Sequence, residues 1–197
     1  MQTFRPGLAQ LLLRGYELNS TSANTQLEQL QKEVHTHTVK KGEVLLKAGD
    51  PGNSIYFVNK GLLRTYTVDK NGKEHSFMFA PEGWFFSDFE SADVSSPSVY
   101  FIDALEHSEI ETVHKSVLHT LKSSWQGHKH TIETLRKRVA VLEQRIIMLQ
   151  SASAGQRYQH FIDTYPGIVQ RIPQKMIATY LGITPESLSR VRKEVVG

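Results

Sequence analysis

The segment that most constrains this chain runs from Gln174 to Lys193, because it spells two short amphipathic helices joined by a tight turn. Thr184, Pro185 and Glu186 form a helix start: a hydroxyl that caps free backbone N–H groups, a proline pre-set for the first turn, and an acid favoured by the helix dipole. A helix is therefore expected to begin at Pro185. Upstream, Ile177, Ala178 and Leu181 share one face of a helix over Gln174 to Leu181, and Gly182 supplies the small or positive-φ residue that a tight turn needs. Leu188, Val191 and Val195 give the second helix an apolar stripe. That leaves Glu186, Ser189, Arg190 and Lys193 together at i, i+3, i+4 and i+7 on the opposite face.

The pattern predicts a helix-turn-helix whose second helix is docked by one face and polar on the other. The polar residue types suit the base edges of the major groove. Arginine can bind guanine O6 and N7 in a bidentate manner, glutamate can accept from cytosine N4, and serine serves bases or phosphates. Glu186, Ser187, Ser189 and Arg190 are the expected base-reading residues. An ordinary helical hairpin with a solvated charged face is the alternative, and the agreement of cap, turn glycine and both apolar stripes argues against it.

Charge divides the chain in the same sense. Residues 128–197 carry 11 Lys and Arg against 5 Asp and Glu, whereas residues 1–127 carry 12 against 15. A basic C-terminal part suits phosphate neutralisation by that part alone. At 197 residues the chain is long enough for two domains of ordinary size. With no cysteine, disulfides, thiolate catalysis, cysteine-ligated zinc and cysteine-held iron–sulfur clusters are excluded. No apolar run reaches membrane-spanning length and the N-terminus carries no signal-peptide pattern, so a cytoplasmic protein with no membrane partner is expected.

Between the two charge regions lies a run without Gly or Pro from His128 to Gln150. Ile132, Leu135, Val139, Leu142, Ile146 and Leu149 follow a 3,4 spacing, an a/d seam that wants a partner helix. Glu133, Arg136, Lys137, Arg138, Glu143 and Arg145 flank it. A homodimer through this helix would match two DNA half-sites about one helical turn apart; a helix lying on its own domain is the alternative.

The N-terminal part opens with two helical stretches, Leu8 to Tyr16 and Thr25 to Val34, and then changes texture. Val44 to Leu46, Ile55 to Val58, Leu62 to Val68, His75 to Phe79 and Ser98 to Ile102 are short and rich in β-branched or aromatic residues. Turn signals separate them: Gly42, Gly49 to Asn53, Asn59 to Gly61, Asp69 to Gly72 and Pro81 to Gly83. Closely spaced strands without intervening helices predict a β-sandwich or barrel, and Asn71-Gly72 reads as a hairpin turn. The expected class is α+β: a sensory β-roll with N-terminal helices over residues 1–127, a dimerisation helix over 128–150 and a helix-turn-helix domain over 151–197.

This order, with the glycine-punctuated segment Gly49 to Gly61, Gly72-Lys73-Glu74 and the motif from Ile172 to Lys193, resembles the cyclic-AMP receptor protein and fumarate–nitrate regulator family of bacterial transcription factors. The resemblance covers roughly residues 20–196. It implies a cyclic-nucleotide-binding-like jelly roll, a dimerisation helix and promoter binding that activates or represses transcription, with RNA polymerase as a further partner. In the fumarate–nitrate branch the base-reading pattern is Glu, two residues, then Ser-Arg, which Glu186, Ser189 and Arg190 match. The cyclic-AMP branch carries an Arg just before that Glu, where this chain has Pro185. Relatives usually continue into a β-hairpin wing, whereas this chain is expected to lack or nearly lack one. Phosphate contacts are accordingly expected from Arg171, Gln174, Lys175, Thr184, Arg192 and Lys193.

Members that bind cyclic nucleotides use a Gly-Glu pair for the ribose and an Arg-Ser/Thr pair for the phosphate, in the segment corresponding here to Pro81 to Glu111. Gly83 is followed by Trp84, Phe85, Phe86, Ser87 and Asp88, so Asp88 could at best replace the ribose-binding Glu. No Arg occurs from Thr65 to Leu135, and residues 77–111 hold no Lys but eight acids: Glu82, Asp88, Glu90, Asp93, Asp103, Glu106, Glu109 and Glu111. A buried phosphate would lack its charge partner, so binding of cyclic AMP is not expected. Gly83, Trp84, Phe85, Phe86, Ser87, Asp88 and Tyr100 form a candidate effector pocket, with Phe89 and Phe101 nearby; plain core packing is the alternative. The small-molecule effector, if there is one, is unassigned. No cofactor is expected.

A metal-dependent cupin enzyme is a rival reading. His35-Thr36-His37 followed by Glu43 mimics its ligand set, since two residues apart on a strand share a face. Glu43 is one or two residues too far on, and after Pro81-Glu82-Gly83 the remaining histidine position holds Phe86. A non-enzymatic interaction module is the other rival, countered by the intact Glu186, Ser189 and Arg190 face. No catalytic residues and no metal ligands are assigned.

Overall fold

The computed structural model describes residues 7–12, 21–88, 96–117 and 125–196. Helices α1 (Leu8–Leu12) and α2 (Thr21–Glu33) precede strands β1 (His35–Val39), β2 (Val44–Leu46), β3 (Ser54–Lys60), β4 (Leu63–Val68), β5 (Glu74–Ala80), β6 (Phe85–Ser87), β7 (Phe101–Ala104) and β8 (Ser108–His114). Helices α3 (Trp125–Ser151), α4 (Ala154–Thr164), α5 (Gln174–Leu181) and α6 (Pro185–Val196) follow, with a 3-10 turn at Val169–Arg171. The strands form two four-stranded sheets, in the orders β1-β8-β3-β6 and β2-β7-β4-β5. This is the expected α+β arrangement, a β-roll followed by helices.

The roll's first sheet is pinned by alternation on its central strand. Ile55 and Phe57 point to one face and join Leu8, Val113 and the half-buried Phe85 in an apolar cluster. Tyr56 and Val58 are buried on the other face. Gly61 turns the chain between β3 and β4 with φ of 100°. A Cβ there would meet the Ser108 Cα at 2.8 Å, so the position excludes any side chain. The β4–β5 hairpin turns at Asn71-Gly72 as expected: Asp69 Oδ1 accepts from the backbone N–H groups of Asn71 (2.8 Å) and Lys73 (3.1 Å), and Gly72 has φ of 76°.

Several strand expectations need correction. The strand expected over Ser98 to Ile102 begins only at Phe101, because the Ser98 hydroxyl accepts from the Tyr100 N–H and holds a local turn. Strand β8 carries a weak sequence signal because Ser108, Glu109, Glu111 and Thr112 dilute its apolar character, although its buried positions fall on alternate residues at Ser108, Ile110 and Val113 with one offset. Strand β6 was hidden in an aromatic run. Helix α2 starts at Thr21, earlier than Thr25. The part of the first expected helix from residue 13 to Tyr16, with Phe89, Glu90 and Asp93, lies outside the described residues.

The chain divides into two compact units, one of Met1–Thr65 with Phe79–Thr134 and the other of Tyr66–Met78 with Leu135–Gly197. The distal part of the β4–β5 hairpin therefore groups with the C-terminal helices, a division different from a break after Gly127. The second unit's core includes Tyr158, Phe161, Tyr165, Ile168, Ile172, Ile177, Ala178, Leu181, Leu188 and Val191, all buried. The rings of Phe161, Tyr165 and Tyr180 meet pairwise at 5.1–5.8 Å, and α4 starts with a capping box between Ser153 and Gln156.

Candidate nucleic-acid interface

Helices α5 and α6 form the expected helix-turn-helix. Ile177, Ala178 and Leu181 are buried under α5, and Gly182 adopts the left-handed conformation, φ 67° and ψ 33°, that ends it. Thr184 caps α6, its Oγ1 accepting from the Ser187 N–H at 3.2 Å. Leu188 is fully buried and Val191 nearly so; the Val195 side chain lies outside the described residues. Glu186, Ser189, Arg190 and Lys193 are all exposed. One face of α6 is thus anchored and the opposite one carries an acceptor, a hydroxyl and two cations in a row.

The first turn of α6 carries the finer electrostatics. The Glu186 carboxyl is held below the usual carboxylate range, chiefly by its own backbone N–H, with the Thr184 hydroxyl and the Arg190 charge adding to it. Arg190 Nη2 lies 3.4 Å from Ser187 Oγ, which in turn lies 3.2 Å from Thr184 Oγ1. Ser187 is half-buried, facing the cap and Arg190 more than open solvent. Among the expected phosphate-contacting residues, Gln174, Lys175, Thr184 and Lys193 are exposed, and Arg171 and Arg192 half-buried. Gln174 and Lys175 open α5, whose N-cap, Pro173, makes no side-chain capping bond. The free N–H groups there can face an anion.

The expected seam lies along α3. Ile132, Leu135, Val139, Ile146 and Leu149 are 42–57% exposed, and Leu142 is half-buried. Val141 and Ile147, off the seam, are also exposed.

The candidate effector residues are spread over both faces of β6 and the turn before it. On β6, Phe85 pairs with Phe57 and Ser87 with Ile55, whereas Phe86 pairs with Tyr56, so the strand sends its side chains to opposite faces. Phe86 meets Tyr100 edge-on at 5.7 Å. Gly83 occupies a turn with φ of 85°, and Trp84 is exposed. Ser87 is fully buried, and among the described residues its Oγ has no hydrogen-bond partner. Asp88 is buried, and its carbonyl accepts from the buried Lys115 ammonium. Desolvation lowers the Lys115 pKa, partly offset by the Asp88 charge. This lysine lies just beyond the acidic window that ends at Glu111.

Arg64, one residue before the arginine-free stretch, is buried and bidentate to Asp103, Nε to Oδ1 at 3.0 Å and Nη2 to Oδ2 at 2.7 Å. The cupin-like residues are engaged otherwise. His37 Nε2 is 2.9 Å from Thr112 Oγ1, and the Glu43 carboxylate accepts from the Lys40 N–H at 3.0 Å. Among the described residues no cluster of three His, Asp or Glu side chains could hold a metal. No described helix is long and apolar enough to cross a membrane.

Residues 36–124 match the family model of the cyclic nucleotide-binding domain. The anaerobic regulatory protein of Pasteurella multocida is 28% identical over 179 residues, covering 84% of this chain and 65% of that protein. The chain thus spans slightly under two thirds of that relative's length. The fumarate and nitrate reduction regulatory protein of Yersinia pestis is 26% identical over 179 residues, 84% of this chain and 71% of that one. In fold the chain is similar to FixK2 from Bradyrhizobium japonicum, with a TM-score of 0.71 at 18% identity over 83% of this chain and 84% of the other. With its β-roll and following helices the chain has the fold seen in cyclic-AMP receptor protein and fumarate–nitrate regulator (Crp/Fnr) proteins, it carries a match to the cyclic nucleotide-binding domain, and over most of its length it is similar in sequence to the regulators named above.

Proposed function

We propose that this chain is a homodimeric, sequence-specific DNA-binding regulator that reads promoters with α6. The observation that carries the reading is the exposed row Glu186, Ser189, Arg190 and Lys193 on a helix locked from behind by buried Leu188 and Val191. A base-reading helix needs outward polar groups on a rigid support. Gln174, Lys175 and Thr184 then take phosphates, and the half-site is of the fumarate–nitrate type. Residues 1–127 serve as the sensory part, 128–150 as the dimerisation helix and 151–197 as the DNA-binding part. The open apolar row on α3 supports pairing with a second copy, because so many exposed apolar groups on one helix call for a partner.

The β-roll does not bind cyclic AMP in this reading. Its arginine-free segment supplies no phosphate partner, Arg64 is committed to Asp103, and Lys115 is committed to the Asp88 carbonyl. Titration of labelled duplex DNA at several salt concentrations tests the DNA reading. Affinity should fall linearly in log–log form as salt rises, and absence of binding at low salt contradicts it. Sedimentation tests the dimer: the parent should sediment as a dimer and Leu135→Glu/Leu142→Glu as a monomer. A monomeric parent at micromolar concentration contradicts it.

A further inference from the structure

Arg145 stands on α3 among the seam positions, yet its side chain turns to other partners within the second unit. Its Nη1 donates to the Phe77 carbonyl, and its Nη2 reaches the carbonyls of Ser76 at 3.4 Å and Tyr180 at 3.5 Å. The guanidinium carbon lies 4.2 Å from the Tyr180 ring centroid and 5.3 Å from that of Phe77. One planar cation therefore donates along its edge to the β4–β5 hairpin and to α5, while aromatic rings from the same two segments face it. An arginine can do this and a lysine cannot, because only the guanidinium has both a fork of donors and flat faces.

A second bridge runs alongside. Thr179 Oγ1 accepts from the Ser76 N–H at 3.3 Å and lies 3.0 Å from Ser76 Oγ. Its own proton can go to the Met176 carbonyl at 2.9 Å while the serine donates back. Ser76 is buried, so removing the threonine hydroxyl while the segments stay packed leaves its N–H without an acceptor. Tyr180 continues the chain of contacts into the Phe161 and Tyr165 cluster that underlies the helical unit. All the while the polar face of α6 stays exposed, so the docked arrangement leaves the base-reading residues available.

We propose that Arg145 is a positioning residue for DNA reading: by clamping Ser76 and Phe77 to Tyr180 it fixes the first helix of the helix-turn-helix, which makes the 66–78 hairpin a working part of the DNA-reading unit. This rests on the DNA-binding reading above. The hairpin thereby holds α5, and through the α5–α6 turn it holds the angle at which α6 meets the groove.

The test compares the full-length parent, Arg145→Met and Thr179→Val by titration of a selected DNA site and of unrelated duplex DNA at one salt concentration, with amide exchange at Ser76 followed by NMR. Arg145→Met should weaken selected-site binding about tenfold, leave unrelated DNA bound as in the parent, and speed exchange of the Ser76 amide. Thr179→Val should do the same about threefold, and it keeps the question answerable if Arg145→Met fails to fold. Parent-like affinity for the selected site in either folded variant, with Ser76 exchange accelerated, overturns the proposal. Equal loss on both DNAs also overturns it, since that marks lost charge or lost fold instead of lost aim. If the parent binds no DNA, the DNA-binding reading fails, and unchanged Ser76 exchange in both variants would separately overturn the clamp.

Discussion

Arg64 and Arg190 are the same residue type in opposite circumstances. In the β-roll, Arg64 is buried and its fork is spent on Asp103, and Lys115, also buried, is spent on a backbone carbonyl. On α6, Arg190 is exposed, with its Nη2 3.4 Å from Ser187 Oγ, on a helix held by fully buried Leu188. Charge enclosed in the roll serves the fold, because a buried ion must be paired. Charge displayed on a rigid helix is left to meet something else. The two regions thus use one chemistry for different ends, and substitutions should separate them cleanly.

The largest expected effect is on the enclosed side. Asp103→Ala leaves a guanidinium buried without its partner and should destabilise the protein by about 3–5 kcal/mol, whereas Arg64→Met/Asp103→Leu should recover most of that. Urea denaturation of the three proteins checks it, and parent-like stability of Asp103→Ala would break the contrast. On the displayed side, the support comes next: Leu188→Ala should cost about 2–5 kcal/mol of stability, read by thermal unfolding.

Arg190→Ala should leave stability unchanged and remove about 1–3 kcal/mol of selected-site binding, while Lys193→Ala weakens all sequences alike. Loss of stability in Arg190→Ala would place that residue with Arg64. Thr184→Ala, which deletes the cap of α6, should destabilise by about 1 kcal/mol. The smallest effect concerns Glu186. Its folded-state pKa is depressed, so its contribution is present above the unfolded carboxylate range and is lost as pH falls through the folded value. The stability difference between parent and Glu186→Gln should therefore shrink towards acid pH, and a difference that grows there would reverse the assignment.

The displayed side was the more legible one in the sequence. Thr184-Pro185-Glu186, Gly182 and the two apolar stripes are local signals, and α5 ends and α6 begins where those signals fall. The Ser153 to Gln156 capping box is equally local, a Ser followed three residues later by Gln, and that pattern marks the start of α4. The enclosed side depends on distance. Arg64 and Asp103 are 39 residues apart, and Arg145 and Phe77 are 68 apart; no spacing rule connects them. Strand β8 was obscured for a related reason, since its identity lies in pairing with both β1 and β3 more than in its composition. The aromatic run on β6 is divided by the pleat, because alternation puts Phe85 and Phe86 on different faces.

The most direct test of the central claim is selection of binding sites from a random duplex DNA library with the parent and with Arg190→Ala. The account predicts that the parent recovers an inverted repeat with half-site centres about one helical turn apart, and that Arg190→Ala loses it. Recovery of the same motif by Arg190→Ala, or of no motif by the parent, would contradict the assignment of the exposed α6 face as the reading surface.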